Sequence, residues 1–178
     1  MSTLVSYASR HGATREIAER IAWRIALRTA DFGETVDLRH LDEVGPIGRY
    51  DRVVFGAPVY DQNWPPEADR FVTANRDALA LIPLWLFSVG SFGDTRRLVG
   101  RVAQREPRNI AELRDALHPR EYRVFQGVVL KHQWPFWSRV LYHALGGRFG
   151  DHRDWRVIDE WADSIAASVP VPREPNRT

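Results

Sequence analysis

The chain has 178 residues, 44% of them hydrophobic and 27% charged, and it contains no cysteine. That is the composition of one globular domain able to bury a core without staples, and it excludes disulfides and thiol catalysis. The formal net charge is +2 although the sequence pI is 9.3, because arginines are interleaved with acids. Even the densest basic stretch, RVAQREPRNIAELRD, holds three acidic residues, so no phosphate-tracking stripe and no nucleic-acid partner is expected. No apolar run approaches the roughly 18 residues that span a bilayer. The opening MSTLVSYASRHG has no basic segment ahead of a long apolar one, so a cytoplasmic protein without a secretory leader is expected.

In chain order, TLVSYA at 3–8 reads as a buried strand, and residues 13–28 carry Ile17, Ala18, Ile21, Ala22 and Ile25 at helical spacing. TVDLR at 35–39 is a short alternating strand. After the connector EVGPIG, the β-branched and aromatic run DRVVFGAP predicts a strand covered on both faces. WPPEADRFVTANRDAL predicts one helix with prolines near its start, where missing N–H groups cost nothing, and PLWLFSVGS a fourth strand. Residues 92–108 show no readable period. NIAELRDAL predicts a short helix capped by Asn109, REYRVFQGVVL a fifth strand, and WPFWSRVLYHAL a further helix. The last helix, DWRVIDEWADSIAASV, places Trp155, Ile158, Ala162, Ile165 and Val169 on one stripe. The domain is expected to span 1–170, followed by a loose Pro-rich tail at 171–178.

Five strands alternating with helices predict an α/β fold, a doubly wound five-stranded parallel sheet. Ligands of such sheets sit beyond the carboxyl ends of the strands, near the switch point. The loops to inspect are therefore 9–14, 57–64 and 90–94. In the first, Ser9, Arg10, His11, Gly12, Ala13 and Thr14 separate a strand from a helix whose first N–H groups have no intrahelical acceptor. This arrangement suits an anion: hydroxyls of Ser9 and Thr14 can donate, His11 can donate, and Gly12 permits N–H groups to turn inward. A plain helix cap beside a tight glycine turn has the same composition. There is no GxxxxGK[ST] and no GxGxxG, so neither a triphosphate nor a dinucleotide is indicated.

YASRHGATREIAERIA resembles the phosphate-binding loop of the flavodoxin family, which holds the 5′-phosphate of FMN without a lysine. The resemblance implies a sheet of order 2-1-3-4-5, FMN as cofactor, and two later loops that wall the flavin ring. GAPVYDQNWPPEADRFV is similar to the second of these, with Pro58, Val59, Tyr60 and Trp64 as its candidates. SVGSFGD is similar to the third, with Gly90, Ser91, Phe92, Gly93 and Asp94. Tyr60, Trp64 and Phe92 are the stacking candidates, and small residues such as Gly56 and Ala57 let backbone approach a flavin. For Trp64 exposure beside a ligand and burial are both open; Trp85 and Trp23 are expected in ordinary packing.

The C-terminal stretch from YRVFQGVVL onward is similar to the flavodoxin-domain subgroup that includes menaquinone-dependent protoporphyrinogen oxidase, through Gly146, Gly147, Asp151, Arg153 and Trp155. The region GSFGDTRRLVGRVAQREPRN does not match that subgroup residue by residue. The implied function is FMN-dependent oxidoreduction, of a two-electron type with a quinone or porphyrinogen as small-molecule donor or acceptor; the flavin does the chemistry and no side chain is needed as catalyst. The alternative is a single-electron carrier docking with a redox partner protein, against which the net charge of +2 argues. A degenerate interaction module is a third reading, because Arg10 and His11 depart from a hydroxyl-rich loop. Family resemblance also implies a homodimer. Trp134, Phe136 and Trp137 at helical spacing suit core packing, while Lys131, Arg139 and His143 nearby leave open a peripheral contact at the inner membrane face. Asp151, His152 and Asp154 in GDHRDW read as a turn and helix cap, so no metal is expected.

Overall fold

The computed structural model describes residues 1–60, 63–90, 115–129 and 150–168. Its main sheet consists of β1 (Ser2–Tyr7), β2 (Thr35–His40), β3 (Arg52–Pro58), β4 (Leu84–Gly90) and β5 (Glu121–Gln126). All pairings are parallel, in the order β2-β1-β3-β4-β5. The chain thus moves outward from β1 in one direction to β2 and in the other to β3, which sets the switch point between β1 and β3. β3 and β4 are buried along their whole length, as continuous apolar runs in a doubly covered sheet require.

One face is covered by α1 (Ala13–Thr29) and α4 (Trp155–Ala167). Ile17, Ile21 and Ile25 of α1 meet Ile158, Trp161, Ala162 and Ile165 of α4 over Val5, Val54 and Phe87. The two helices are also riveted at their rims. Arg20 forms a two-bond fork on Asp159 at 2.7 Å, while Arg24 and Arg28 both fork onto Asp163. Bidentate charge-assisted bonds of this kind fix orientation as well as adding energy. The opposite face is covered by α2 (Pro66–Ala74) and α3 (Arg76–Ala80), whose Ala68, Val72 and Leu79 pack on Leu4, Phe55 and Leu86.

Three expectations need correction. The helix read over residues 64–79 is two helices, because the Asn75 side-chain amide donates to the Phe71 carbonyl at 2.8 Å and so competes with the backbone for a helical acceptor. The fifth strand ends at Gln126. Val128–Val129 instead pairs antiparallel with Gly150–Asp151, as β6 and β7 of a separate ribbon. Gly127 lies between the two, where an added Cβ would lie 2.9 Å from Val89 Cγ1. Trp23, assigned to packing, is 51% exposed, with the Arg20 guanidinium 4.8 Å from its ring centroid. Trp85 is buried as expected. The readings made for residues 92–108, the helix beginning at Asn109, the aromatic segment 134–145 and the tail fall outside the described residues.

Candidate functional site

Gly12 is the N-cap of α1 and has φ +89°, a left-handed conformation that favours glycine. Its N–H donates to the Ser9 hydroxyl oxygen at 3.1 Å. Since that oxygen accepts from the loop itself, the Ser9 O–H proton is directed elsewhere. Among the described residues no side-chain hydrogen bond caps α1, and the first intrahelical bond runs from Glu16 N–H to the Gly12 carbonyl at 2.9 Å. The amides of residues 13–15 therefore precede the hydrogen-bonded helix, with the positive end of its dipole behind them. Ser9, Gly12 and Ala13 are half-buried, Arg10 and His11 exposed, and Thr14 is buried in the first turn. An uncapped helix start, a turned hydroxyl and a nearby guanidinium form a donor set that fits a phosphate monoester.

The switch point brings the second loop alongside. Ala8 N–H bonds to the Gly56 carbonyl and Val59 N–H to the Val89 carbonyl, each at 2.9 Å, which carries the parallel pairing past the strand ends. Pro58 is the buried last residue of β3. Tyr60 and Asn63 exchange two backbone bonds of 2.9 Å, which pins the backbone of Tyr60, and Tyr60 is 37% exposed. Burial pushes the Tyr60 phenol up from its usual range, and the Arg10 charge opposes this. Arg10 bridges the loops: its guanidinium lies 5.6 Å from the Tyr60 ring centroid, and its Nε is 3.6 Å from Glu67 Oε1 in the first turn of α2.

Trp64 behaves differently from Tyr60. It is 3% exposed, packs edge-on against Phe55 and donates its indole N–H to the Ser88 hydroxyl at 2.7 Å. Of its two readings the structure takes burial, because a core hydroxyl satisfies the indole N–H and removes the reason for staying in water. The reading of Gly56 as room for a flavin is corrected. Its missing Cβ is occupied by a neighbouring side chain, since an added one would lie 2.0 Å from Phe87 Cζ. Gly90 ends β4 in full burial and accepts from Gly127 N–H at 2.9 Å. Ser91, Phe92, Gly93 and Asp94 lie outside the described residues, as do Gly146 and Gly147. Tyr60 is thus the one stacking candidate among the described residues that retains an exposed ring.

The site also has a support that the spacing of residues did not disclose. Arg153 forks onto Asp151 at 2.8 and 2.6 Å, reaches Glu16 Oε2 at 2.5 Å, and lies 4.5 Å from the Trp155 ring centroid. Its bonds to Asp151 hold the Arg153 charge firmly and keep the Asp151 carboxyl below the usual carboxylate range. Glu16 is in the first turn of α1, so Arg153 neutralises a carboxylate next to the proposed anion loop. The signal that could have found it was the Asp-x-Arg pair; its Glu16 partner lies 137 residues away. Asp154 accepts from the N–H groups of Arg156 and Val157 as the cap of α4, and among the described residues no cluster is suited to a metal ion.

The Flavodoxin domain family matches residues 4–145. The chain belongs to that family. This flavodoxin-domain chain is also similar in structure to a flavodoxin from the domain Archaea, at 13% identity, over 93% of this chain and 96% of that one, with a TM-score of 0.62. Flavodoxin 1 from Bacillus cereus is 14% identical over 95% of this chain and 99% of its own, with a TM-score of 0.54. Rubredoxin oxygen:oxidoreductase from Desulfovibrio gigas is 14% identical over 93% of this chain but only 35% of its own, with a TM-score of 0.56. At such identities the likeness speaks to the fold. Among curated proteins none matches. Membership of the flavodoxin domain family is consistent with FMN binding and supports a redox protein. Among the described residues no helix is long and apolar enough to cross a membrane.

Proposed function

We propose that the protein is an FMN-dependent oxidoreductase of the two-electron type, with a quinone or a porphyrinogen-like small molecule as donor or acceptor. The observation that carries this reading is the juxtaposition of an uncapped α1 start with the Tyr60 turn, joined by Arg10. FMN, when bound, supplies the electron and hydride chemistry. The chain's part is binding and orientation. Ser9, Arg10, Gly12, Ala13 and Thr14 would hold the phosphate, and the pinned Tyr60 ring would shield one part of the flavin from water. The subgroup likeness through Asp151, Arg153 and Trp155 supports the two-electron assignment. A visible spectrum of the purified protein tests it: flavin absorption near the usual blue and near-ultraviolet bands, with FMN released on denaturation, is expected. A colourless protein that takes up no added FMN contradicts it.

A second reading, a single-electron carrier with protein partners, is favoured by the likeness over nearly the whole length of stand-alone flavodoxins. The net charge of +2 argues against it, since steering toward basic partners needs an acidic surface. Stopped-flow reoxidation of the reduced protein separates the two. Turnover of small quinones supports the enzyme, and reactivity confined to protein acceptors supports the carrier.

A further inference from the structure

We propose that Arg10 selects the phosphorylated flavin over the unphosphorylated one, and that it does so by exchanging Glu67 for the phosphate. The inference rests on the FMN reading above and concerns how this chain's own loop recognises the phosphate. A loop that relies on hydroxyls and amides has no net charge to set against a dianion. Here position 10 carries a guanidinium at the mouth of that loop.

The present partner of Arg10 is a weak one. The Arg10 Nε to Glu67 Oε1 separation of 3.6 Å is too long for a good hydrogen bond, and the side chains are 58% and 33% exposed. Exposed pairs of this kind hold little free energy, whereas a guanidinium on a phosphate makes short, paired, charge-assisted bonds. Glu67 does not depend on Arg10 either. It lies in the first turn of the nine-residue α2, where the helix dipole favours a carboxylate. Transfer of Arg10 to a phosphate therefore leaves no stranded charge.

The same side chain lies over the Tyr60 ring, and Tyr60 is held by its paired bonds to Asn63. Arg10 consequently joins the phosphate loop to the aromatic turn that follows β3, and a ligand that engages it at one loop is felt at the other. Among the described residues His11, also exposed, shows no such link to the second loop.

The test is a fluorescence titration of the whole 178-residue chain, freed of flavin, with FMN and with riboflavin, for wild type and for Arg10→Gln, Arg10→Lys and Glu67→Gln. Arg10→Gln should weaken FMN by about tenfold or more and leave riboflavin within about twofold. Arg10→Lys should recover part of the loss, which also guards against a folding defect in the glutamine variant. Glu67→Gln should tighten FMN by about two- to fivefold, through removal of the competing carboxylate. Equal losses for both flavins, no loss for either, or weaker FMN binding in Glu67→Gln would overturn the proposal while leaving the FMN reading standing. A wild-type chain that binds neither flavin would remove the FMN reading itself, and this proposal with it.

Discussion

Trp64 and Ser88 are joined across the core by an indole N–H to hydroxyl bond of 2.7 Å, and the same hydroxyl accepts from the Tyr122 phenol at 2.9 Å. The bond makes Trp64 a structural residue. Trp64→Phe keeps most of the ring and removes the donor, and should cost about 1 to 2 kcal/mol in urea unfolding while leaving FMN affinity within about twofold. A large loss of FMN affinity at unchanged stability would show instead that the indole faces the flavin.

Gly56 is filled from across the sheet by Phe87. Gly56→Ala should destabilise by about 3 kcal/mol or more through overpacking. Adding Phe87→Leu should return part of that, with a non-additive coupling measurable by a double-mutant cycle. Additive effects of the two changes would contradict the contact.

The α1 to α4 rivets give a pH dependence of known sign. Hydrogen bonds from Arg20 hold Asp159, and those from Arg24 and Arg28 hold Asp163, below the ordinary carboxylate value of 3.8. The folded protein thus binds fewer protons than the unfolded chain, so this stability is present above that value and is lost as the pH falls through the folded pKa values. Melting temperature followed from about pH 6 to about pH 2 should drop steeply below about pH 4. Asp163→Asn should lower stability by about 1 kcal/mol near neutrality and flatten the acid limb. An unchanged acid limb would contradict the assignment.

Arg153 is expected to act on the anion loop through Glu16. A Cβ placed on Gly12 would be 3.8 Å from Glu16 Oε1, so an unneutralised Glu16 would repel a phosphate bound there. Arg153→Gln should weaken FMN by about three- to tenfold, and Glu16→Gln in the same chain should restore it. Failure of the second change to restore binding would reduce Arg153 to a purely structural rivet.

Much of the fold was legible because its signals are local. β1, β3 and β4 are apolar runs, α1 shows a repeat of isoleucines, and alternation of strands with helices implies the crossovers of a parallel sheet. The family resemblance implied the strand order β2-β1-β3-β4-β5, and the observed strand pairing bears it out. What was not legible depends on partners far along the chain. Trp23, expected in packing, faces solvent beside the Arg20 guanidinium, and Trp64, for which both settings were open, is buried because its indole finds Ser88, 24 residues on. Arg52, the first residue of β3, is buried against Thr3, Glu34 and the Ile165 carbonyl, partners that no local pattern announces. The Arg10 to Glu67 and Arg153 to Glu16 links likewise exist only once the switch point and the last helix are assembled.

The central claim is that the turn from Ser9 to Thr14 grips the phosphate of FMN. Amide chemical shifts of an isotope-labelled sample, followed during FMN titration and compared with riboflavin, test it most directly. The account predicts large FMN-specific shifts at Gly12, Ala13 and Thr14 that riboflavin does not reproduce. FMN binding that leaves those amides unmoved would contradict it.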